Sequence, residues 1–473
     1  MASQLIRAAT PSAPAERAHI VPVQVRSPIL LLASTVAVAL VLRIFWILYL
    51  KTYQISTFPD DHFYFGYETG RIARAIASGQ GFSNPFHGET GPTAWLAPVY
   101  PYLAAAIFKL FGIYTAQSAF VLLAINGLLS ALTCMPLFFA ARRVFGTRVA
   151  WWSTWAWAIL APLSYWSVHW VWETSLSTFL FTCIFLVTLN LADAPRFRRW
   201  MLFGALWGVV ALTNPSLLSL LPFFGIWACW RSHRHSRPWF LQTSASAIIF
   251  FAVISPWIVR NYQVFERLVF IRDNFGVEVR LGNGPGAEGV WMEWLHPTQN
   301  ARELQRYRSM GELAYSQTRG EEAMSFILNS PSDFARLCAK RFVYFWAGLP
   351  RNVNWKSGAE RWKNIASIVE FRNSGYLTLS VLAFWGLFLA IRRGDTFAFL
   401  FAAVLVIYPL VYYAVFPHPR YRHPIEPEMV MLAAYLVSQT STFRRRGTLL
   451  PIAPPQADEP HPAQGVLHLV RNK

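Results

Sequence analysis

Charge is what this sequence has least of. Only 14% of its 473 residues are Asp, Glu, Lys or Arg, against about 25% in an average soluble domain, and that excludes an ordinary soluble enzyme. Cysteine is equally scarce: Cys134, Cys183 and Cys229 sit in apolar stretches and Cys338 stands alone in polar sequence, so no disulfide framework can be drawn. HExxH, the phosphate-binding GxxxxGK[ST] and GxSxG are missing, and GNGPGAEG at 282–289 lacks the flanking strand and helix of a dinucleotide motif. There is no internal repeat, so the signature of many transporters is absent too. Hydrophobic residues make up 54% of the chain, with 21 Trp, 37 Phe and 18 Tyr. They fall in long blocks such as 27–50, 118–140 and 396–416, each near the roughly 20 residues that a bilayer-crossing helix needs. The chain reads as an all-α polytopic membrane protein.

The net charge of +18 would suggest nucleic acid in a soluble protein, but here the basic residues cluster at alternate helix ends, where they orient spans. Arg142, Arg143 and Arg148, then Arg196, Arg198 and Arg199, then the 231–237 run and Arg444 to Arg446 mark one side. About ten transmembrane helices with both ends in the cytoplasm follow. The first apolar stretch is too long for a signal-peptide core of about 7–15 residues and is read as a retained span.

The expected organisation is a cytoplasmic N-terminal segment 1–26, a transmembrane catalytic module 27–258 with its first outer loop at 51–117, a periplasmic segment 259–373, C-terminal transmembrane helices 374–440 and a disordered cytoplasmic tail 441–473. The first outer loop should carry an interfacial helix over 64–77, ended by Gly79 and Gly81, and a short re-entrant helix over 94–111, broken by Pro98 and Pro101. The periplasmic segment is polar enough for a small α-rich soluble unit.

Twelve of the 24 acidic residues lie in 260–372, which leaves few for the membrane part. Asp60 and Asp61 follow Pro59 in the first outer loop, and Glu173 stands at the outer start of a span in HWVWETSLSTF. Asp60-Asp61 reads two ways, as a solvated helix cap or as part of an acidic pair with Glu173 that activates a hydroxyl or holds a divalent metal. Glu173 itself is either an interfacial residue reaching water or His169, or a functional acid, because a carboxylate at membrane depth costs several kcal/mol without a partner. Basic residues on the outer side run against the orientation rule. They are Arg260 and, in HPRYRHP, His418, Arg420, Arg422 and His423. Arg forks suit phosphate oxygens, with a lipid-headgroup anchor as the bland alternative.

The order of these parts resembles the membrane-embedded GT-C glycosyltransferases that use polyprenyl-phosphate sugars, the group of protein O-mannosyltransferases, the aminoarabinose transferase of lipid A and rhizobial lipopolysaccharide sugar transferases. The stretches that carry the resemblance are PDDHFYFGYETGRIARAIASGQGF at 59–82, LAPVYPYLAAAIFKLFG at 96–112, ARRVFG at 141–146, LTNPSLLSLLP at 212–222, SPWIVRNYQVF at 255–265 and PRYRHPIEP at 419–427.

The resemblance implies a GT-C fold and an inverting transfer at the outer face of the bacterial inner membrane, in cell-envelope lipopolysaccharide or protein glycosylation. It implies a polyprenyl-phosphate sugar donor and a glycolipid, glycan or protein acceptor. Asp60 or Asp61 would be the base, with Glu68 a weaker competitor, and Glu173 the second acid. A Lys found near the Pro-rich helix of some relatives is missing, since 93–100 holds no basic residue. The donor lipid phosphate then falls to Arg260, Arg420, Arg422 and His423. No cofactor is required, and a divalent ion bridging Asp60/Asp61, Glu173 and phosphate is compatible with the chemistry. The alternatives are a transporter or flippase of lipid-linked glycans, which leaves the two helices of the first loop unexplained, and a non-catalytic scaffold.

Overall fold

The computed structural model describes residues 28–54, 65–193, 196–234, 239–349 and 366–447. Asp60 and Asp61, the first 27 residues and the tail beyond 447 lie outside them. Among the described residues there is no strand, only an isolated bridge between Ser83 and Pro92. The helices run in order α1 (Pro28–Tyr49), α2 (Glu68–Ala77), α3 (Val99–Phe111), α4 (Ala116–Leu132), α5 (Cys134–Phe145), α6 (Thr147–Ile159), α7 (Ala161–His169), α8 (Thr174–Asp193), α9 (Phe197–Ala211), α10 (Leu221–Arg234) and α11 (Trp239–Phe265). A polar segment follows with α12 (Phe275–Gly282), α13 (Ala301–Met310), α14 (Glu312–Asn329) and α15 (Pro331–Ala347), and the chain ends with α16 (Ala366–Arg392), α17 (Ala398–Val406), α18 (Leu410–Ala414) and α19 (Glu426–Gly447).

Among the described residues five helical stretches are long and apolar enough to cross a bilayer: Ile29–Tyr49, Ala116–Phe145, Thr174–Leu191, Trp239–Phe265 and Asn373–Arg392. The remaining expected spans are shorter or interrupted. The 396–416 block, read above as one span, breaks because Pro409 has no N–H to continue the ladder, so α17 stops and α18 restarts beyond it.

The bundle is built around α8. Its hydroxyls are buried, and Thr178, Thr182 and Thr188 each donate to the carbonyl four residues back, which satisfies them without a neighbour. α1 keeps apolar side chains such as Ile29, Val41 and Phe45 exposed, the arrangement of a lipid-facing helix, yet buries Arg43 completely. That guanidinium donates to Ser130 Oγ, to the Ala39 carbonyl and to the Trp157 and Ala158 carbonyls near the end of α6. A cation inside the bundle is thereby fully hydrogen-bonded and also meets the negative end of a helix dipole.

The first loop forms two helices, as its sequence requires. α2 is amphipathic and opens on Glu68, an acid well placed at a positive helix end. α3 begins at Val99 with Pro98 before it and Pro101 in its first turn, positions where a missing N–H costs nothing. The polar segment packs against the first loop and the chain after α18. Phe86 and Trp95 of the first loop share one core with Val277, Leu281, Tyr307 and Tyr315 of the polar segment and with Val415 and Phe416 after α18. Inside the segment, Arg280, Arg306 and Arg319 converge on Glu322, and Arg319 also pairs with Glu303, tying α12, α13 and α14 together.

Candidate active site

A cavity of about 490 Å³ opens where the first loop, the α7–α8 turn, the 213–219 turn, the polar segment and the chain after α18 meet. That is the size of an organic-ligand site. Its ionisable lining consists of Glu68, Glu173, Glu278, Arg272, Arg420, His296 and His418, set among Trp95, Trp170, Trp172, Trp291, Tyr100, Tyr412 and Tyr421.

Local backbone chemistry delivers the two acids. Gly66 takes a positive φ of 76°, and a Cβ there would sit 2.7 Å from the Val171 carbonyl oxygen, so only glycine lets the turn before Glu68 pack against the turn before Glu173. The α7–α8 turn is pinned by the buried amide of Asn126, which donates to the Trp170 carbonyl at 3.1 Å and accepts from the Tyr100 hydroxyl at 3.0 Å. The Glu173 carbonyl accepts from Ser177 N–H at 2.8 Å, placing its side chain at the positive end of α8.

Arg420 is the shared counter-charge. Its guanidinium carbon lies 3.3 Å from the centroid of a Trp172 ring and 5.1 Å from that of Tyr421, close enough for cation–π attraction. Its charge is felt by Glu68, Glu173 and Glu278 alike. Its Nε and Nη1 groups are buried and meet no hydrogen-bond acceptor among the described residues, an unmade interaction that costs about 1–3 kcal/mol and more for a charged group. Arg272 joins it, with Nη2 3.9 Å from Glu278 Oε1 and Nε donating to the Trp95 carbonyl at 3.0 Å.

Burial raises the carboxyls of Glu173 and Glu278, and in both cases Arg420 and Arg272 pull them back down. Glu68 is pushed up to about 7, by burial first, with Arg71 opposing. Its partner His296 is pushed down to about 3 by burial and by Arg71. The two lie 3.4 Å apart but form no ion pair, since the imidazole stays neutral. His296 Nδ1 accepts from Thr298 N–H, so the ring proton sits on Nε2, the nitrogen nearest Glu68 Oε1.

Of the residues expected for the donor phosphate, Arg420 alone lines this cavity. Arg260 donates to the Thr93 carbonyl at 2.6 Å and the Phe82 carbonyl at 2.8 Å, bracing the first loop. Arg422 is buried and donates to the Trp346 and Tyr376 carbonyls and Ser380 Oγ, with Nε 3.3 Å from Glu426 Oε1. His423 is buried too, its Nδ1 2.6 Å from Glu426 Oε2 and its ring stacked on Trp157. Those three side chains do not line the cavity, although Arg422 Nε and Nη2 and His423 Nε2 are buried without a hydrogen-bond partner among the described residues. Asp60 and Asp61 lie outside the described residues. Sequence reasoning missed Arg272, Glu278 and His296 because they belong to the segment read as a separate unit. The signal for them was the clustering of half the acids there.

Among the described residues no group of three or more His, Cys, Asp or Glu side chains could hold a metal ion.

No protein-family model and no curated protein matches the sequence. Among solved structures, the archaeal oligosaccharyltransferase AglB from Archaeoglobus fulgidus, in complex with an inhibitory peptide and a dolichol-phosphate, superposes with a TM-score of 0.50 at 13% identity over 89% of this chain. The fold is of the GT-C type. The chain spans about half the length of AglB, 52% of it. ArnT from Cupriavidus metallidurans bound to undecaprenyl phosphate aligns over 90% of this chain and 81% of its own at 14% identity, with a TM-score of 0.35. The fold is the one its motifs resemble, and the chain is a membrane protein.

Proposed function

We propose that the protein is a membrane glycosyltransferase that moves a sugar from a polyprenyl-phosphate donor to a hydroxyl of a glycolipid, glycan or protein, with inversion, at the outer face of the bacterial inner membrane. The observation that carries this reading is the Arg420 fork, buried in the cavity that Glu173 also lines, whose Nε and Nη1 meet no acceptor among the described residues. A phosphate oxygen completes those donors. The neighbours' printed ligands, dolichol-phosphate and undecaprenyl phosphate, are of that chemistry.

In the reaction, Asp60 or Asp61 takes the proton of the acceptor hydroxyl as its oxygen attacks the anomeric carbon. The bond from that carbon to the phosphate oxygen breaks, and the prenyl phosphate leaves with the electron pair. Arg420 and Arg272 stabilise the charge growing on the phosphate, the kind of fixed electrostatic support that is worth most in a water-poor site. Glu173 orients the acceptor and balances Arg420. Positioning by the cavity lowers the demand on the base.

The test is transfer of labelled sugar from a polyprenyl phosphate in membranes carrying Asp60→Asn, Asp61→Asn, the double variant or Glu173→Gln. Removing the base should lower transfer by about 10²–10⁴-fold at unchanged protein level. Full transfer by the double variant would remove both aspartates from the mechanism. Movement of the donor across the bilayer without transfer would mark a transporter.

A further inference from the structure

Glu312 opens α14 and does not line the cavity, yet it is only 5% exposed and its carboxylate receives three donors. Oε1 accepts from the Ala94 N–H at 2.6 Å, and Oε2 accepts from the Thr93 hydroxyl at 2.5 Å and the Tyr307 hydroxyl at 2.7 Å. The Thr93 hydroxyl in turn accepts from the Trp95 N–H at 2.9 Å.

The rest of the 93–95 backbone is satisfied just as fully. Thr93 N–H donates to the Phe82 carbonyl, the Thr93 carbonyl accepts from Arg260, the Ala94 carbonyl accepts from the Asp273 N–H, and the Trp95 carbonyl accepts from Arg272 Nε. Six backbone groups of a stretch outside any helix are therefore met from five places in the chain. Such complete pairing is what a buried backbone requires. Here it also fixes a direction, because Trp95 lines the cavity and its carbonyl holds the Arg272 guanidinium there.

We infer that Glu312 is a positioning residue: through Thr93, Ala94 and Trp95 it sets where the Arg272 guanidinium meets the anionic group of the donor. A carboxyl group suits the task because its two oxygens can accept from all three donors at once. The inference rests on the functional reading given above, in which the cavity takes a phosphate.

Coupling between the two residues distinguishes positioning from bulk support of the fold. Binding of farnesyl phosphate, with farnesol as the uncharged control, should be measured by tryptophan fluorescence on the full chain in lipid nanodiscs, for the wild type, Glu312→Gln, Arg272→Gln and the double variant. Thr93→Val, which removes the hydroxyl that links Glu312 to Trp95, is the milder companion and serves if Glu312→Gln does not fold.

Arg272→Gln is expected to weaken farnesyl phosphate about tenfold. Glu312→Gln and Thr93→Val should each weaken it several-fold in the wild type and by less than twofold once Arg272 is gone, with farnesol unaffected throughout. Equal losses with and without Arg272, or no loss from either variant in the wild type, would refute the positioning role while leaving the phosphate reading intact. Farnesyl phosphate binding no tighter than farnesol to the wild type would overturn the phosphate reading and this inference with it.

Discussion

Glu68 is the lining residue whose proton the surroundings control most clearly. Its carboxyl moves from an ordinary 4.5 up to about 7, because burial outweighs the opposing Arg71 and Arg420 and Glu278 adds to the rise. His296 stays neutral above about 3, so it supplies no compensating charge, and Arg71 is also in contact with His87. The protonated acid is therefore the form the fold prefers. Its contribution to stability is complete below pH 4.5, falls as the unfolded chain loses its proton, and is gone once pH has risen through 7. The shift corresponds to an upper bound of about 3–4 kcal/mol. Thermal unfolding in detergent, compared between the wild type and Glu68→Gln from pH 4.5 to 8, should show the wild type losing stability relative to the variant across that window. Parallel curves would show that the ionised acid is not penalised.

At the scale of elements, α9 and α11 pack through glycine. Gly204 and Gly208 stand four apart on one face of α9, and a Cβ on Gly204 would lie 2.1 Å from the Ser246 carbonyl oxygen, one on Gly208 2.7 Å from Val253 Cβ. Two helices approach this closely in a membrane only across small residues. Gly204→Ala should cost about 1–3 kcal/mol, the usual penalty of overpacking, read as a lower unfolding temperature with donor affinity preserved in the folded fraction. An unchanged unfolding temperature would mean that the contact relaxes freely. The GALWG spacing was legible in the sequence and went unread, because the apolar blocks had already accounted for those residues.

The two helices of the first loop were legible from their glycine and proline boundaries. The broken helix around Pro409 was less so, since hydropathy alone cannot see a missing N–H. Residue types near the site were legible where an unusual group stood out, as Glu173 and Arg420 do. Arg260, Arg422 and His423 looked equally unusual, yet they do not line the cavity, and composition cannot tell a guanidinium aimed into a cavity from one that donates to carbonyls.

At the scale of the whole molecule, scarcity of charge has a structural counterpart. Among the described residues the membrane part hydrogen-bonds Arg43 inside the bundle and gathers other ions around one cavity. The polar segment completes that cavity, contributing Arg272, Glu278 and His296 to a wall otherwise made by the bundle and the first loop. It shares a core with them as well.

The central claim is that the cavity brings an acceptor hydroxyl and a donor phosphate together across Glu173 and Arg420. Its most direct measurement is a single-turnover reaction of the purified chain in nanodiscs with a labelled short-chain polyprenyl-phosphate sugar and an acceptor extract, following release of prenyl phosphate and appearance of glycosylated product together. The account predicts stoichiometric release and transfer in the wild type, and at least about a hundredfold slower turnover in Arg420→Gln. Turnover by Arg420→Gln at the wild-type rate, or product formation without release of prenyl phosphate, would contradict it.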